Sequence, residues 1–341
     1  MTLAPDLVEW IEQRAGGRVA HVDQQVRWRA HYFVTVERPE GRIELLVRFA
    51  RQMDPGGSLF IDHFSIEREA RVIEALQGHD LAIPEYFGFN AEHQCILMSK
   101  AAGTNELREA PDDDTRLSVM LQYIEQLAHL HSLDVNTMVL EGIDVPRTPE
   151  EIAFAGKFAY MEADYARWRP VLRPEPLLEF GIRWLHANVP TGDRRVAFVQ
   201  GDTGPGQFMF HEGKVTALID WELAHIGDPM LDLGVARMRN MLYPTGPMAA
   251  PLAHYEAVTG KELDREALGF YTVMSMLLSP MGMVAAMQAP LAKGEGMVAR
   301  FGWDATLRRG FSDALAEVLG LEIEPPELPE PPTDAPPGLA D

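Results

Sequence analysis

Cysteine is almost absent from this chain of 341 residues: Cys95 is the single one. No intrachain disulfide can form, so a reducing, cytoplasmic setting is expected. Cys95 stands in the apolar run Cys95-Ile96-Leu97-Met98, which marks it as a small core residue rather than a nucleophile. Positive charge is also scarce. Lys and Arg number 30 against 51 Asp and Glu, a formal net charge of −21. A basic footprint for nucleic acid or an anionic membrane is therefore lacking, and neither is expected as a partner. A phosphorylated small molecule stays open, because a bound divalent cation can supply the missing charge. The 11 histidines form no H-E-x-x-H spacing, so zinc is not expected. Met1 to Trp10 carries Asp6 and Glu9 and no base, so a signal peptide is not expected.

One stretch, Phe270 to Ala292, lacks charge altogether and is long enough to span a bilayer. Pro280, Gly282 and Pro290 interrupt it, and Thr272, Ser275, Ser279 and Gln288 dilute it. Buried helices of a globular lobe are the expected reading. The remaining composition, 46% hydrophobic and 24% charged, is ordinary for a folded protein with ample chain for a core.

The pattern changes along the chain. Tyr32 to Glu37 and Arg42 to Ala50 read as strands joined by the turn signal Arg38-Pro39-Glu40-Gly41. In the second, Ile43, Leu45, Val47 and Phe49 alternate with Glu44, Leu46 and Arg48, which sends Arg48 to the opposite face. A helix capped by Ser65 follows, with Ile66, Ala70, Ile73 and Leu76 at helical spacing and Glu69 on a different side. Gln94 to Ser99 is a further strand. Beyond the linker-like 101–114 the chain turns helical. Leu117, Met120, Leu121, Ile124, Leu127 and Leu130 form one stripe, with Asp114 as candidate cap. Residues 150–190 give more helices, including Leu177 to Ala187; 197–220 return to strand patterning before helices resume. Glu322 to Asp341 holds seven prolines, six acidic residues and no base, a composition that cannot bury a core. An α+β chain is expected: a β-rich lobe over 1–100, a helical lobe over 101–320 and a Pro-rich acidic tail over 321–341.

Chemistry concentrates between Phe198 and Trp221. Glu212-Gly213 suits a two-residue hairpin turn. That turn sets His211 opposite Lys214 and Gln207 opposite Leu218, with Asp220 on the face of Gln207. An amide oxygen and a carboxylate would then converge at the open end of the hairpin. Few protein oxygens with room for water and phosphate is how Mg²⁺ is usually held. Asp202, in a Gly/Pro-rich loop, would reach the same end, where a carboxylate can take the proton of an attacking hydroxyl. Asp220 in the apolar run Ala217-Leu218-Ile219-Asp220-Trp221 needs a partner or a metal, since burying an unpaired carboxylate is costly.

These residues resemble the aminoglycoside phosphotransferase and choline kinase-like family. Gln200-Gly201-Asp202 with Gln207, Ile219-Asp220-Trp221-Glu222, and Gly227-Asp228-Pro229-Met230-Leu231-Asp232-Leu233 are similar to its H-G-D-x-x-x-x-N, I-D-W-E and G-D-P-x-x-D-L pattern. Leu130-His131-Ser132-Leu133-Asp134 resembles its L-H-x-L-D helix end. The resemblance covers roughly residues 20–315 and implies a protein-kinase-like bilobal fold with ATP or GTP in the cleft. It implies Asp202 as catalytic base, Gln207 and Asp220 as Mg²⁺ ligands, and Arg48 as the phosphate-contacting base with Glu69 as its helix partner. Backbone near Ser99 and Ala101 would meet the nucleotide base. Asp228 and Asp232 would brace the catalytic loop and cap a helix. The chain departs from the pattern with Gln207 for Asn, Gln200 for His, Arg48 for the more usual Lys, and no glycine between Gln24 and Val36. The implied activity is transfer of a γ-phosphoryl group to a small-molecule hydroxyl. A non-catalytic nucleotide- or metabolite-binding module is the alternative. Related domains occur joined to acyl-CoA dehydrogenases, which makes a hydroxyacyl thioester a candidate acceptor and favours a metabolic hydroxyl over an antibiotic.

Overall fold

The computed structural model describes residues 3–25, 30–51, 63–170, 175–192, 194–288 and 297–322. The expected acidic tail from residue 323 onward and the middle of the glycine-free segment lie outside these residues. The chain opens with helix α1 (Pro5–Ala15), followed by β1 (Arg18–Gln25), β2 (His31–Arg38) and β3 (Gly41–Phe49). Helix α2 (Ile66–Leu76) comes next, then β4 (Tyr86–Asn90) and β5 (Cys95–Ser99). The five strands form one antiparallel sheet in the order β1-β2-β3-β5-β4.

The alternation read in β3 decides what the two faces of this sheet do. Leu45 and Val47 turn to one side, where they pack with Val34, Val36, Cys95 and Leu97 under Leu7 and Ile11 of α1. Cys95 is fully buried there, and desolvation pushes its thiol up to about 12. The opposite face carries Arg48, Ile96 and Met98 toward α2. Ser65 caps α2 as expected, accepting from the Arg68 N–H, and Ile66, Ala70, Ile73 and Leu76 are all buried.

Past Ser99 the chain is mainly helical. Helix α3 (Asp113–Leu130) buries Val119, Met120, Tyr123, Ile124, Leu127 and Leu130. Its cap is Asp112, which accepts from Thr115 N–H, rather than the expected Asp114. The expected stripe is displaced as well: Leu117 is 40% exposed, because the first turns of α3 project beyond the core. Helices α4 (Pro149–Ala153), α5 (Lys157–Trp168) and α6 (Pro176–Ala187) follow. Two short strands and a hairpin between them come next: β6 (Ala197–Val199), the hairpin β7 (Phe208–His211) and β8 (Lys214–Leu218), and β9 (His225–Gly227). The chain continues with α7 (Pro229–Leu242), α8 (Ala249–Thr259), α9 (Arg265–Gln288) and α10 (Met297–Val318).

The charge-free stretch is mostly α9. It packs against α5, α6, α7 and α10, burying Phe270, Tyr271, Val273, Met274, Met276 and Leu277. Among the described residues no helix is long and apolar enough to cross a membrane.

Candidate active site

Strand β6 pairs with β9 and delivers the loop that carries Asp202. The loop is held from below by Asp232, on the first turn of α7. Asp232 is fully buried and accepts from the Gln200 N–H (2.8 Å), the Gly201 N–H (2.8 Å) and His131 Nε2 (3.0 Å). A buried carboxylate is tolerated here because every neighbour is a donor. His131 in turn meets the Tyr255 hydroxyl through Nδ1 at 2.8 Å. Asp228 caps α7, accepting from Met230 N–H, and pairs with Arg194. Both aspartates thus take the bracing positions the resemblance implied.

Two glycines let the loop lie flat on this base. A Cβ on Gly201 (φ +81°) would stand 2.4 Å from Leu223 O, and one on Gly204 (φ +109°) 2.9 Å from Ala236 Cα. The left-handed backbone excludes larger residues in any case. Gln200, where the family pattern has His, is fully buried. Its Oε1 accepts from the Tyr123 hydroxyl (3.1 Å) and its Nε2 donates to Ile219 O (2.6 Å). Tyr123 O also accepts from Gly204 N–H at 3.0 Å, and burial raises its phenol well above the usual value.

The hairpin differs from expectation. His211 does face Lys214, but the register shifts between Met209 and Phe210, so Phe208 pairs with Leu218, while the Gln207 carbonyl accepts from Ile219 N–H and the Gln207 N–H donates to Gly204 O, each at 3.0 Å. The extra residue is Thr216, whose hydroxyl donates to Ala102 O at 2.7 Å. A bulge of this kind re-aims everything beyond it. Asp220 then adopts a left-handed conformation (φ 66°, ψ 64°), which Asp tolerates better than most residues. Gln207 consequently meets Asp202 instead: its Nε2 donates to Asp202 Oδ2 at 2.8 Å.

Asp220 is joined to the sheet. Arg48 donates from Nη2 to Asp220 Oδ1 at 2.6 Å and from Nε to the Glu69 carboxylate at 3.1 Å, with Glu222 at 3.6 Å. Burial works against the guanidinium charge, and these three carboxylates outweigh it, so its pKa is raised. The Arg48–Glu69 pair stands as expected.

Arg48, Glu69, Ser99, Ala101, Gln207 and Asp220 all line one cavity of about 410 Å³, with Met98, Phe33 and Ile219 among its apolar walls. The Ser99 N–H donates to Glu85 O at 2.8 Å. Among the described residues no cluster of three or more His, Cys, Asp or Glu could hold a metal. Gln207 and Asp220, the amide oxygen and carboxylate expected to converge, both line this cavity.

Sequence reasoning missed four cations. Arg239, on α7, donates to Asp202 Oδ2 at 2.6 Å. Arg51 pairs with Glu222, and Arg68 donates to the carbonyls of Glu222 and Ala224, tying α2 to the segment after Asp220. Half-buried Lys157, at the start of α5, has its pKa lowered by desolvation against the pull of Asp202 and Glu222. A signal existed for Arg239: it lies seven residues after Asp232 on the same buried helix face.

Residues 25–271 match the phosphotransferase enzyme family, and the chain belongs to it. Acyl-CoA dehydrogenase family member 11 of Rattus norvegicus is 25% identical over 233 residues, 64% of this chain and 28% of that protein. The probable acyl-CoA dehydrogenase IBR3 of Arabidopsis thaliana is 24% identical over 266 residues, 68% of this chain and 32% of that protein. The chain thus spans only about a third or less of these relatives. Among solved structures, a putative aminoglycoside phosphotransferase from Ralstonia eutropha superposes with a TM-score of 0.65 at 20% identity, covering 91% of this chain and 97% of that one. A thermostable mutant of the aminoglycoside phosphotransferase APH(4)-Ia, in a ternary complex with AMP-PNP and hygromycin B, gives 0.64 at 15% identity, covering 92% and 98%. The fold is therefore the kinase-like, bilobal one, and the family is one of phosphotransferase enzymes.

Proposed function

We propose that the chain is a Mg²⁺-dependent kinase that transfers the γ-phosphoryl group of ATP or GTP to the hydroxyl of a metabolite. The observation that carries this is the convergence of Asp202, Gln207, Asp220 and Arg48 beside one nucleotide-sized cavity whose far wall is Ser99 and Ala101. The nucleotide lies between a lobe of residues 1–100 and one of 101–320, its base against the Ser99 and Ala101 backbone. Arg48, steadied by Glu69, contacts the phosphates through a guanidinium fork suited to them. Gln207 Oε1 and the Asp220 carboxylate would hold Mg²⁺, which supplies charge neutralisation at the polyphosphate. Asp202 takes the acceptor's hydroxyl proton as its oxygen bonds to the γ-phosphorus and the bond to the leaving nucleoside diphosphate breaks. Catalysis of this kind is positioning and electrostatics rather than covalent chemistry.

For the acceptor we favour a hydroxyacyl thioester, on the likeness to acyl-CoA dehydrogenase family members. The test combines thermal shift with ATP or GTP, with and without Mg²⁺, and a coupled nucleotide-turnover assay across hydroxyl-bearing metabolites. Saturating nucleotide at 100 times its Kd stabilises by about 2.7 kcal/mol, and that shift should require Mg²⁺. Asp220→Ala should lose it. Asp202→Ala should keep it and lose turnover; full activity in that variant refutes the assignment of the base. Stabilisation without turnover on any acceptor identifies a binding module instead.

A further inference from the structure

The mechanism leaves one close contact unused. Asp202 Oδ2 accepts two hydrogen bonds, from Gln207 Nε2 at 2.8 Å and from Arg239 Nη2 at 2.6 Å. Its Oδ1 makes none among the described residues. Both side chains of the ion pair are largely shielded, 16% exposed for Asp202 and 22% for Arg239. The Asp202 loop rests on the stem of Arg239: a Cβ on Gly204 would lie 3.3 Å from both Arg239 Cβ and Cδ. Arg239 Nε is buried with no hydrogen-bond partner, so the guanidinium is fastened chiefly by its tip. Its flank lines a cavity of about 280 Å³ shared with Asn105, Pro205, Gly206, Tyr243 and Thr245, and Asn105 and Gly206 also border the larger cavity.

We propose that Arg239 is a positioning residue for the base: with Gln207 it fixes Oδ2, so that Oδ1 is the atom presented to the acceptor's hydroxyl proton. This rests on the phosphotransferase reading above. Two donors on one carboxylate oxygen set the rotation about Cβ–Cγ, which a single donor leaves free. Gln207, one methylene longer than the Asn of the family pattern, has the reach to share this task. The ion pair also places a buried positive charge next to where the acceptor oxygen loses its proton. Misplacing a reacting group by about 1 Å can cost up to 100-fold in rate.

The experiment uses basal hydrolysis of Mg-ATP or Mg-GTP, with water as acceptor, by the full chain. Arg239→Met keeps the stem that packs under Gly204 and removes the charged fork. It should lower kcat at least tenfold, with KM for the nucleotide within twofold of wild type. Arg239→Lys, which retains one donor, should recover several-fold of that loss, and guanidinium ion should partly rescue Arg239→Ala. If Arg239→Met fails to melt cooperatively, Arg239→Lys carries the test through the same kcat and KM split. A kcat within twofold of wild type in Arg239→Met overturns the proposal while leaving Asp202 in place. So does a loss that raises KM in proportion and is rescued by neither lysine nor guanidinium. Wild-type protein that turns over neither nucleotide, with water or with any hydroxyl-bearing acceptor, sinks the phosphotransferase reading, and this proposal with it.

Discussion

Replacing Asp232 by alanine should cost more stability than its single negative charge suggests. Asp232 has no exposed side-chain surface, and it accepts from two backbone amides, Gln200 N–H and Gly201 N–H, each at 2.8 Å. Neither amide has water or another acceptor to turn to once the carboxylate is gone. A buried donor left unsatisfied costs about 1–3 kcal/mol, so the pair alone costs roughly 2–6 kcal/mol. His131 is the smaller loss, because its Nδ1 contact with Tyr255 survives. At a few degrees per kcal/mol, the melting temperature should fall on the order of 10 °C. Asp232→Asn should fall between, since its oxygen can keep one amide while its NH₂ opposes the other. Asp113→Ala is the control: that carboxylate is 93% exposed beside Arg116 and should change stability by less than about 0.5 kcal/mol. Differential scanning calorimetry at neutral pH reads all three. An Asp232→Ala variant melting within about 1 °C of wild type would refute the reasoning.

His225 and Cys95 give two further outcomes. Burial, opposed by a backbone contact to Leu223, pushes His225 from 6.5 down to about 4. The unfolded chain therefore binds the proton first, and stability should fall as pH drops from about 6.5 toward 4, by about 3 kcal/mol from this group at 1.36 kcal/mol per unit. Denaturant melts across that window should show a shallower acid limb in His225→Phe, and an unchanged limb would count against this. Cys95 is fully buried with its thiol pushed up to about 12, so a thiol reagent should label the native protein only at the rate of unfolding. Rapid stoichiometric labelling at neutral pH would contradict the packing of the sheet under α1.

Much of the fold was legible because its signals are local. Alternation in β3 placed Arg48 opposite Leu45 and Val47, and the spacing after Ser65 marked the buried face of α2. The bracing roles of Asp228 and Asp232 followed from their motif. The misreadings share a cause. Asp112 rather than Asp114 caps α3, and Leu117 escapes burial, because the point at which a helix meets the core is set by its neighbours. The hairpin pairing failed at Thr216, whose hydroxyl is drawn to Ala102 O across the chain. No period-two pattern records such a bulge.

The scarcity of cysteine and of positive charge, the strand and helix periods, and the family motif were all determined by the sequence, since each depends on residue identity and short spacing. Which carboxylate meets which cation was decided only by the tertiary structure. Arg48 and Asp220 lie 172 residues apart in the chain and 2.6 Å apart in space; Asp202 and Arg239 are 37 apart and equally close. Every charged side chain can reach several partners. Only packing the sheet against the helical lobe, and α7 beneath the loop, removes the alternatives by excluding water from all but one.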